Sequence, residues 1–137
     1  MSKLFHLKVL TPERQFFEGD VESLTVTTTD GKYSFLAGHA PIVMPVCVGS
    51  LVIKSPDGTE EVFTSEGFLE VDHEGLSVYV QACEHAGEID KNRAEEALRR
   101  AEERLRQRRS MTEYRQSKAA LARALARLQI SKRSGYR

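Results

Sequence analysis

The feature that most constrains this 137-residue chain is a division of charge hidden inside a neutral total. Lys plus Arg and Asp plus Glu are both 20. Residues 1–88 hold five basic groups (Lys3, Lys8, Arg14, Lys32, Lys54) against fourteen acidic ones, net −9. Residues 89–137 hold fifteen basic groups against six acidic ones, net +9. Texture divides at the same place. All four prolines lie in the first 56 residues, and only Gly135 of the nine glycines lies beyond position 88. Two units of opposite sign, 1–88 and 89–137, therefore share one chain.

The first unit reads as strands. Phe5, Leu7 and Val9 alternate with His6 and Lys8, a period of two. Leu24, Val26 and Thr28 continue the pattern in a β-branched run. Asp30-Gly31 is a tight-turn signal, and Pro56-Asp57-Gly58 is another between Leu51–Lys54 and Glu61–Thr64. His73-Glu74-Gly75 separates strands around Phe68–Val71 and Leu76–Val80. Short strands at this spacing predict a sandwich or barrel of antiparallel strands. The segment Leu36–Pro41 interrupts the series and is too apolar for a solvated turn. Cys47 and Cys83 make no disulfide framework and read as small buried hydrophobes in a reducing, cytosolic setting.

The second unit reads as two antiparallel helices of about 18–20 residues each. Ala94, Ala97, Leu98, Ala101 and Leu105 recur at helical spacing. Asp90 is the expected N-cap. Ser110-Met111-Thr112 breaks the helix, with Ser110 or Thr112 capping the next and Met111 as an apolar plug. The second stripe is Tyr114, Ser117, Leu121, Leu125 and Leu128, padded by Ala120 and Ala124. Alanines at the seam bury little area, so the hairpin is expected to be marginal alone. The tail Ser131–Arg137 is expected to fray. No apolar run reaches the ~18 residues of a membrane-spanning helix, and MSKLFHLKVL lacks the apolar core of a secretory signal.

Three segments in order resemble the epsilon subunit of bacterial F-type ATP synthase. They are Asp30–Pro41 with its Gly38-His39-Ala40-Pro41 core, Gly67-Phe68-Leu69-Glu70-Val71, and Ile89-Asp90-Lys91-Asn92-Arg93-Ala94, which matches I/L-D-x-x-R-A. Ser34 departs from the family's more usual Gly, a change expected to touch one turn. The resemblance implies an all-β sandwich N-terminal domain followed by an α-helical hairpin of two antiparallel helices. It implies a sandwich docked on the gamma subunit and the c-ring. It implies a hairpin that either folds against the sandwich or extends along gamma into the head of alpha and beta subunits, blocking ATP hydrolysis. A peripheral place on the cytoplasmic face of the bacterial plasma membrane follows, with a regulatory and structural role and no catalysis.

The resemblance also supplies a ligand set. In ATP-binding relatives the matching positions are Glu84, Ile89, Asp90, Arg93, Ala94 and Arg100, with Arg123 and Arg127 from the second helix. Arg93 and Arg100 lie two turns apart and share a face, Arg104 follows one turn on, and Arg123 and Arg127 share a face at i and i+4. Such guanidiniums suit a polyphosphate, and a helix N-terminus adds backbone donors. Ile89 and Ala94 offer an apolar wall for adenine and Asp90 a polar contact. No Gly-rich phosphate loop, catalytic carboxylate pair or base beside a nucleophile accompanies them, so ATP would be a regulatory ligand, with no cofactor required. Bound ATP would favour the folded arm by about 2.7 kcal/mol at about a hundred times its dissociation constant.

Plainer readings stand beside these. Arginine-rich helices usually present a solvated face, and Asp90 can be a helix cap alone. His39 reads as a packed or interface side chain, and the four histidines show no metal spacing. A structural coupling subunit that senses nothing is one alternative. A nucleic-acid-binding protein with a basic arm is another, disfavoured by the absence of aromatic platforms.

Overall fold

A computed structural model describes residues 3–134. The chain divides into two units, Met1–Glu84 and His85–Arg137. The first contains β1 (Phe5–Leu10), β2 (Gln15–Val21), β3 (Ser23–Thr28), β4 (Gly31–Leu36), β5 (Ile42–Val46), β6 (Gly49–Ser55), β7 (Gly58–Thr64), β8 (Gly67–Asp72) and β9 (Gly75–Val80). The short β10 (Cys83–His85) straddles the division. One sheet runs β2-β1-β9-β8-β5 and the other β10-β7-β6-β3-β4. Together they form a β-sandwich.

The period-two alternation decides which side chains meet between the sheets. Leu7 and Val9 of β1, Leu69 of β8 and Val78 of β9 face Leu24 and Val26 of β3, Leu51 of β6 and Val62 of β7 in one buried cluster. All of these are fully buried, and each such side chain is worth about 1.5–3 kcal/mol of hydrophobic stabilisation.

Three expectations are corrected. The pairing is not wholly antiparallel: β1 runs parallel to β9, with Leu7 opposite Leu76 and Val9 opposite Val78. Periodicity reports which face a residue takes and is blind to strand direction. The interruption expected at Leu36–Pro41 starts one residue later, because Leu36 closes strand β4 opposite Ser23 of β3 and only 37–41 is loop. Cys83 is buried, but Cys47, just past the end of β5, is only half-buried; neither is in a disulfide.

Two glycines are required by close approach. A Cβ on Gly67 would collide with the Tyr79 carbonyl oxygen and lie 2.8 Å from Val80 Cα across the β8–β9 ladder. Gly75 has φ +143°, and a Cβ there would strike the His6 carbonyl oxygen. The turn before it is closed by Asp72, whose Oδ1 accepts from the N–H groups of Glu74 (2.8 Å) and Gly75 (3.2 Å).

The second unit opens with a 3-10 turn at Ala86–Glu88, where Glu88 Oε1 accepts from His85 N–H at 3.0 Å. Helix α1 is Lys91–Arg106 and helix α2 is Met111–Ser134. They pack along one another, and α2 returns to the 3-10 turn that precedes α1, so the pair is antiparallel. The helices are unequal, 16 and 24 residues, rather than two of similar length. α1 stops early because Gln107 takes φ −102°, ψ 6° and Arg108 Nη1 donates to the Leu105 carbonyl (3.0 Å), satisfying a last-turn acceptor. α2 continues through Ser134, so the expected fraying at 131–134 is replaced by helix. Residues 135–137 lie outside the described residues.

The expected α1 stripe is the inward one, with Ala94 and Ala101 buried. On α2, Ser117, Ala124 and Leu128 are buried, but Leu125 is 42% exposed and Met111 is 64% exposed. A period of 3.6 rotates Leu125 away from a seam centred on Ala124 and Leu128, and Met111 precedes the first seam position.

On the sandwich, β1 and β2 place one histidine between two carboxylates. His6 Nε2 meets Glu18 Oε2 at 2.8 Å and His6 Nδ1 meets Asp20 Oδ1 at 3.2 Å. The hydrogen bond that His6 donates to Glu18, then the one it donates to Asp20, raises the His6 pKa above 6.5. The same bond from His6 lowers the Glu18 pKa below 4.5. The contribution from His6 is therefore complete below pH 6.5 and is lost as pH rises through its raised value. The contribution from Glu18 is lost as pH falls through its lowered value.

Two outcomes are expected. NMR titration will find the His6 pKa above that of a free histidine, and Glu18→Gln will bring it down; an unchanged value in the variant would exclude the pairing as its cause. Urea denaturation of Gly67→Ala will show a loss of about 1–3 kcal/mol, the range for overpacking, and an unaltered midpoint would refute the tight β8–β9 approach.

Candidate functional site

The arm is built by its caps. Asp90, at φ −80°, ψ 102°, accepts from Arg93 N–H through Oδ1 at 3.0 Å, which starts α1. Ser110 Oγ accepts from Glu113 N–H (3.1 Å), which starts α2, and Glu113 Oε2 accepts from Arg109 N–H (2.8 Å). Of the two candidate caps, Ser110 and Thr112, Ser110 is the one that the helix uses. The elbow is closed over Tyr114, with the Arg108 guanidinium 5.0 Å and Lys118 Nζ 5.6 Å from its ring centroid.

The expected ligand residues are distributed as follows. Glu84 belongs to β10 in the first unit, and the other seven belong to the second. Ile89 and Ala94 are buried, at 9% and 4% exposure. Asp90, Arg93 and Arg100 are exposed, while Arg123 and Arg127 are half-buried. Asp90 has its Oδ1 engaged in the cap. Near the elbow an open groove of about 790 Å3 is lined by Arg104, Gln107, Arg109, Glu113, Gln116, Ser117, Ala120 and Arg123. Of the eight expected positions this groove includes Arg123 alone. Arg104 joins it from α1 and Arg109 from the elbow, a residue that spacing on one helix could not connect to Arg123.

On the sandwich, register builds a row that the sequence reading missed. Pro45 of β5 stands opposite Phe68 of β8, Phe68 opposite Tyr79 of β9, and Tyr79 opposite Leu10 of β1. Phe68 and Tyr79 stack at 5.0 Å between centroids. They are 47% and 36% exposed, and Val43, two residues before Pro45 on the same face, is 67% exposed. The available signal was the pair Phe68-Leu69, where an apolar residue stands at an outward position beside an inward one. An exposed apolar band across four strands suits docking on another protein.

The second sandwich feature is the loop around Gly38-His39. His39 Nδ1 donates to the Ala40 carbonyl (2.7 Å), so Nε2 is the acceptor for Tyr33 O–H (2.9 Å). Its ring lies 4.8 Å from Phe35 and 5.9 Å from Tyr33. His39 is thus the packed side chain that its apolar surroundings suggested. A cavity of about 410 Å3 beside it is lined by Leu4, Phe35, Leu36, His6 and His73 among others. Among the described residues no group of three His, Cys, Asp or Glu side chains is placed to hold a metal, and no helix is long and apolar enough to cross a membrane.

Comparison with known proteins covers both units. Residues 4–86 match the family model described as the ATP synthase delta/epsilon chain β-sandwich domain, and residues 88–132 match that of the delta/epsilon chain long α-helix domain. The ATP synthase epsilon chain of Caldanaerobacter subterraneus subsp. tengcongensis is 48% identical over 132 residues, covering 96% of this chain and 96% of that one. The epsilon chain of Ruminiclostridium cellulolyticum is 43% identical, covering 94% and 96%. A chain of the Euglena gracilis mitochondrial ATP synthase superposes with a TM-score of 0.78 at 20% identity, over 98% of this chain and 82% of its own, which speaks for the fold. Two consecutive family matches and near-full-length relatives in bacteria converge: the chain belongs to the ATP synthase delta/epsilon chain family.

Proposed function

We propose that this chain is an epsilon-type central-stalk subunit of an F-type ATP synthase, coupling the catalytic head to the membrane ring during ATP synthesis and restraining ATP hydrolysis. The observation that carries the reading is near-full-length identity of 48% to a bacterial epsilon chain. In this reading the sandwich docks on the gamma subunit and the c-ring, and the exposed Pro45–Phe68–Tyr79 row supports such a face. The role is structural and regulatory, without catalysis of its own, at the cytoplasmic face of the bacterial plasma membrane. The same reading sets aside the nucleic-acid alternative for the basic arm.

Regulation follows from the charge division. A folded arm lets the net +9 unit partly neutralise the net −9 unit, and an extended arm offers its arginines to the alpha and beta subunits. Exposed pairs are worth only about 0–1 kcal/mol each, so the two poses can lie close in energy. We infer that ATP biases this balance through Glu84, Ile89, Asp90, Arg93, Ala94, Arg100, Arg123 and Arg127. Support comes from the shared face of Arg93 and Arg100 on α1 and from the half-buried setting of Arg123 and Arg127 on α2. Because Ile89 and Ala94 are buried, adenine can reach them only if the side chains around them give way.

In the assembled enzyme, removal of residues 89–137 is expected to raise ATP hydrolysis severalfold at low ATP and to change little at high ATP; equal rates at every ATP concentration would refute the brake. Calorimetry of the whole chain with ATP is expected to give saturable heat, weakened roughly tenfold or more by Arg123→Ala plus Arg127→Ala. The absence of heat at millimolar ATP would leave a coupling subunit that senses nothing.

A further inference from the structure

The outer face of the first sheet carries more than its apolar row. The register sets a second row beside it: Val43 of β5, Glu70 of β8, Ser77 of β9, Lys8 of β1 and Glu18 of β2. Most carboxylates of this face are engaged within the chain. Glu18 and Asp20 pair with His6, and Asp72 closes the turn before Gly75. Glu70 differs, with no hydrogen-bond or ion-pair partner among the described residues. Ser77 stands opposite without bonding it, and Lys8, two strands away, pairs with Glu18 at 3.9 Å.

The neighbours of Glu70 are apolar on two sides. Val43 lies across the β5–β8 ladder, and Phe68 stands two residues back on the same strand face. Both are exposed, at 67% and 47%, whereas Glu70 between them is half-buried. A partner that covers Val43 and Phe68 therefore covers Glu70 as well. An ionised carboxylate shut away from water without a counter-charge opposes the contact that covers it. Among the described residues no cation is placed to neutralise it, so the charge has to come from the partner.

We propose that the partner docked on this face supplies an arginine to Glu70 and lays an apolar ridge along Pro45, Phe68 and Tyr79. This extends the reading that the sandwich docks on the gamma subunit, on which it rests, by naming what that subunit must carry. Arginine fits better than lysine for a geometric reason. Phe68 and Tyr79 stack at 5.0 Å between centroids, a flat aromatic surface beside the carboxylate. Residues two apart on a strand are separated by roughly 6.5 Å. One guanidinium can therefore lie over the rings and still present its paired N–H groups to Glu70. The ammonium of lysine has neither the planar face nor the fork. The apolar row then supplies contact area, and Glu70 fixes register: a segment shifted by one strand leaves both charges unpaired.

The test is binding of the whole chain to a catalytic head that retains gamma but lacks this subunit. Glu70→Gln, which keeps the shape and removes the charge, is expected to weaken binding roughly tenfold or more. Glu70→Lys, which sets like charges together, is expected to weaken it further. Asp57→Asn removes the same charge at an exposed turn between β6 and β7 of the other sheet, and is expected to leave affinity unchanged. Thermal unfolding checks that each variant is folded. At saturating concentrations, arginine-specific labelling with phenylglyoxal is expected to find an arginine of gamma protected by the wild-type chain and labelled again with Glu70→Gln. Phe68→Ala distinguishes the arginine contact from the docking itself. If Phe68→Ala weakens binding and Glu70→Gln does not, the docking face stands and the arginine contact is overturned. If neither weakens binding, or the wild-type chain does not bind, the docking reading of this face falls and takes the contact with it. An equal loss with Asp57→Asn, or protection of every gamma arginine that persists with Glu70→Gln, also overturns the proposal.

Discussion

The sandwich rests on the parallel pairing of β1 with β9. Leu7 and Leu76 are far apart in the chain and opposite each other in the sheet. Without that pair the first sheet is two fragments, β2-β1 and β9-β8-β5. The pairing depends on Gly75, because any side chain there would meet the His6 carbonyl oxygen. Once it is made, alternate residues of β1, β8 and β9 present one apolar face, and β3, β6 and β7 can close over it. It also joins the β1–β2 ladder that carries the cluster around His6 to the β8–β9 ladder that carries Phe68 and Tyr79, by setting Leu10 opposite Tyr79.

What the sequence revealed of this unit has a physical boundary. The six strands legible from alternation, β1, β3, β6, β7, β8 and β9, are the six interior strands of the two sheets. The four that were missed, β2, β4, β5 and β10, are the four edges. An interior strand must satisfy both ladders and a buried face, which imposes a strict period on its residues. An edge strand satisfies one ladder, so β5 can carry Pro45 and β2 can carry Gly19 without loss of pairing. The same distinction hides the parallel pair, since direction leaves no mark on periodicity.

The arm was legible for a different reason. Caps are local, so Asp90 and Ser110 announce α1 and α2 from within a few residues. The seam was less legible because alanines on several faces of α2 leave its inward direction ambiguous, and Leu125 was assigned to the wrong side. The motif residues of the candidate nucleotide site could be recognised by their order along the chain. The grouping of Arg104, Arg109 and Arg123 could not, because it exists only after the elbow has folded.

The edges have a consequence for the chain before it meets any other subunit. β10 is three residues long, β5 lacks an N–H at Pro45, and β2 and β4 carry exposed Asp20 and Lys32. None offers a long, flat, uncharged margin to a second copy. A newly made chain can therefore wait in solution with its ladders uncapped and still resist stacking into fibrils, leaving assembly to its side-chain surfaces.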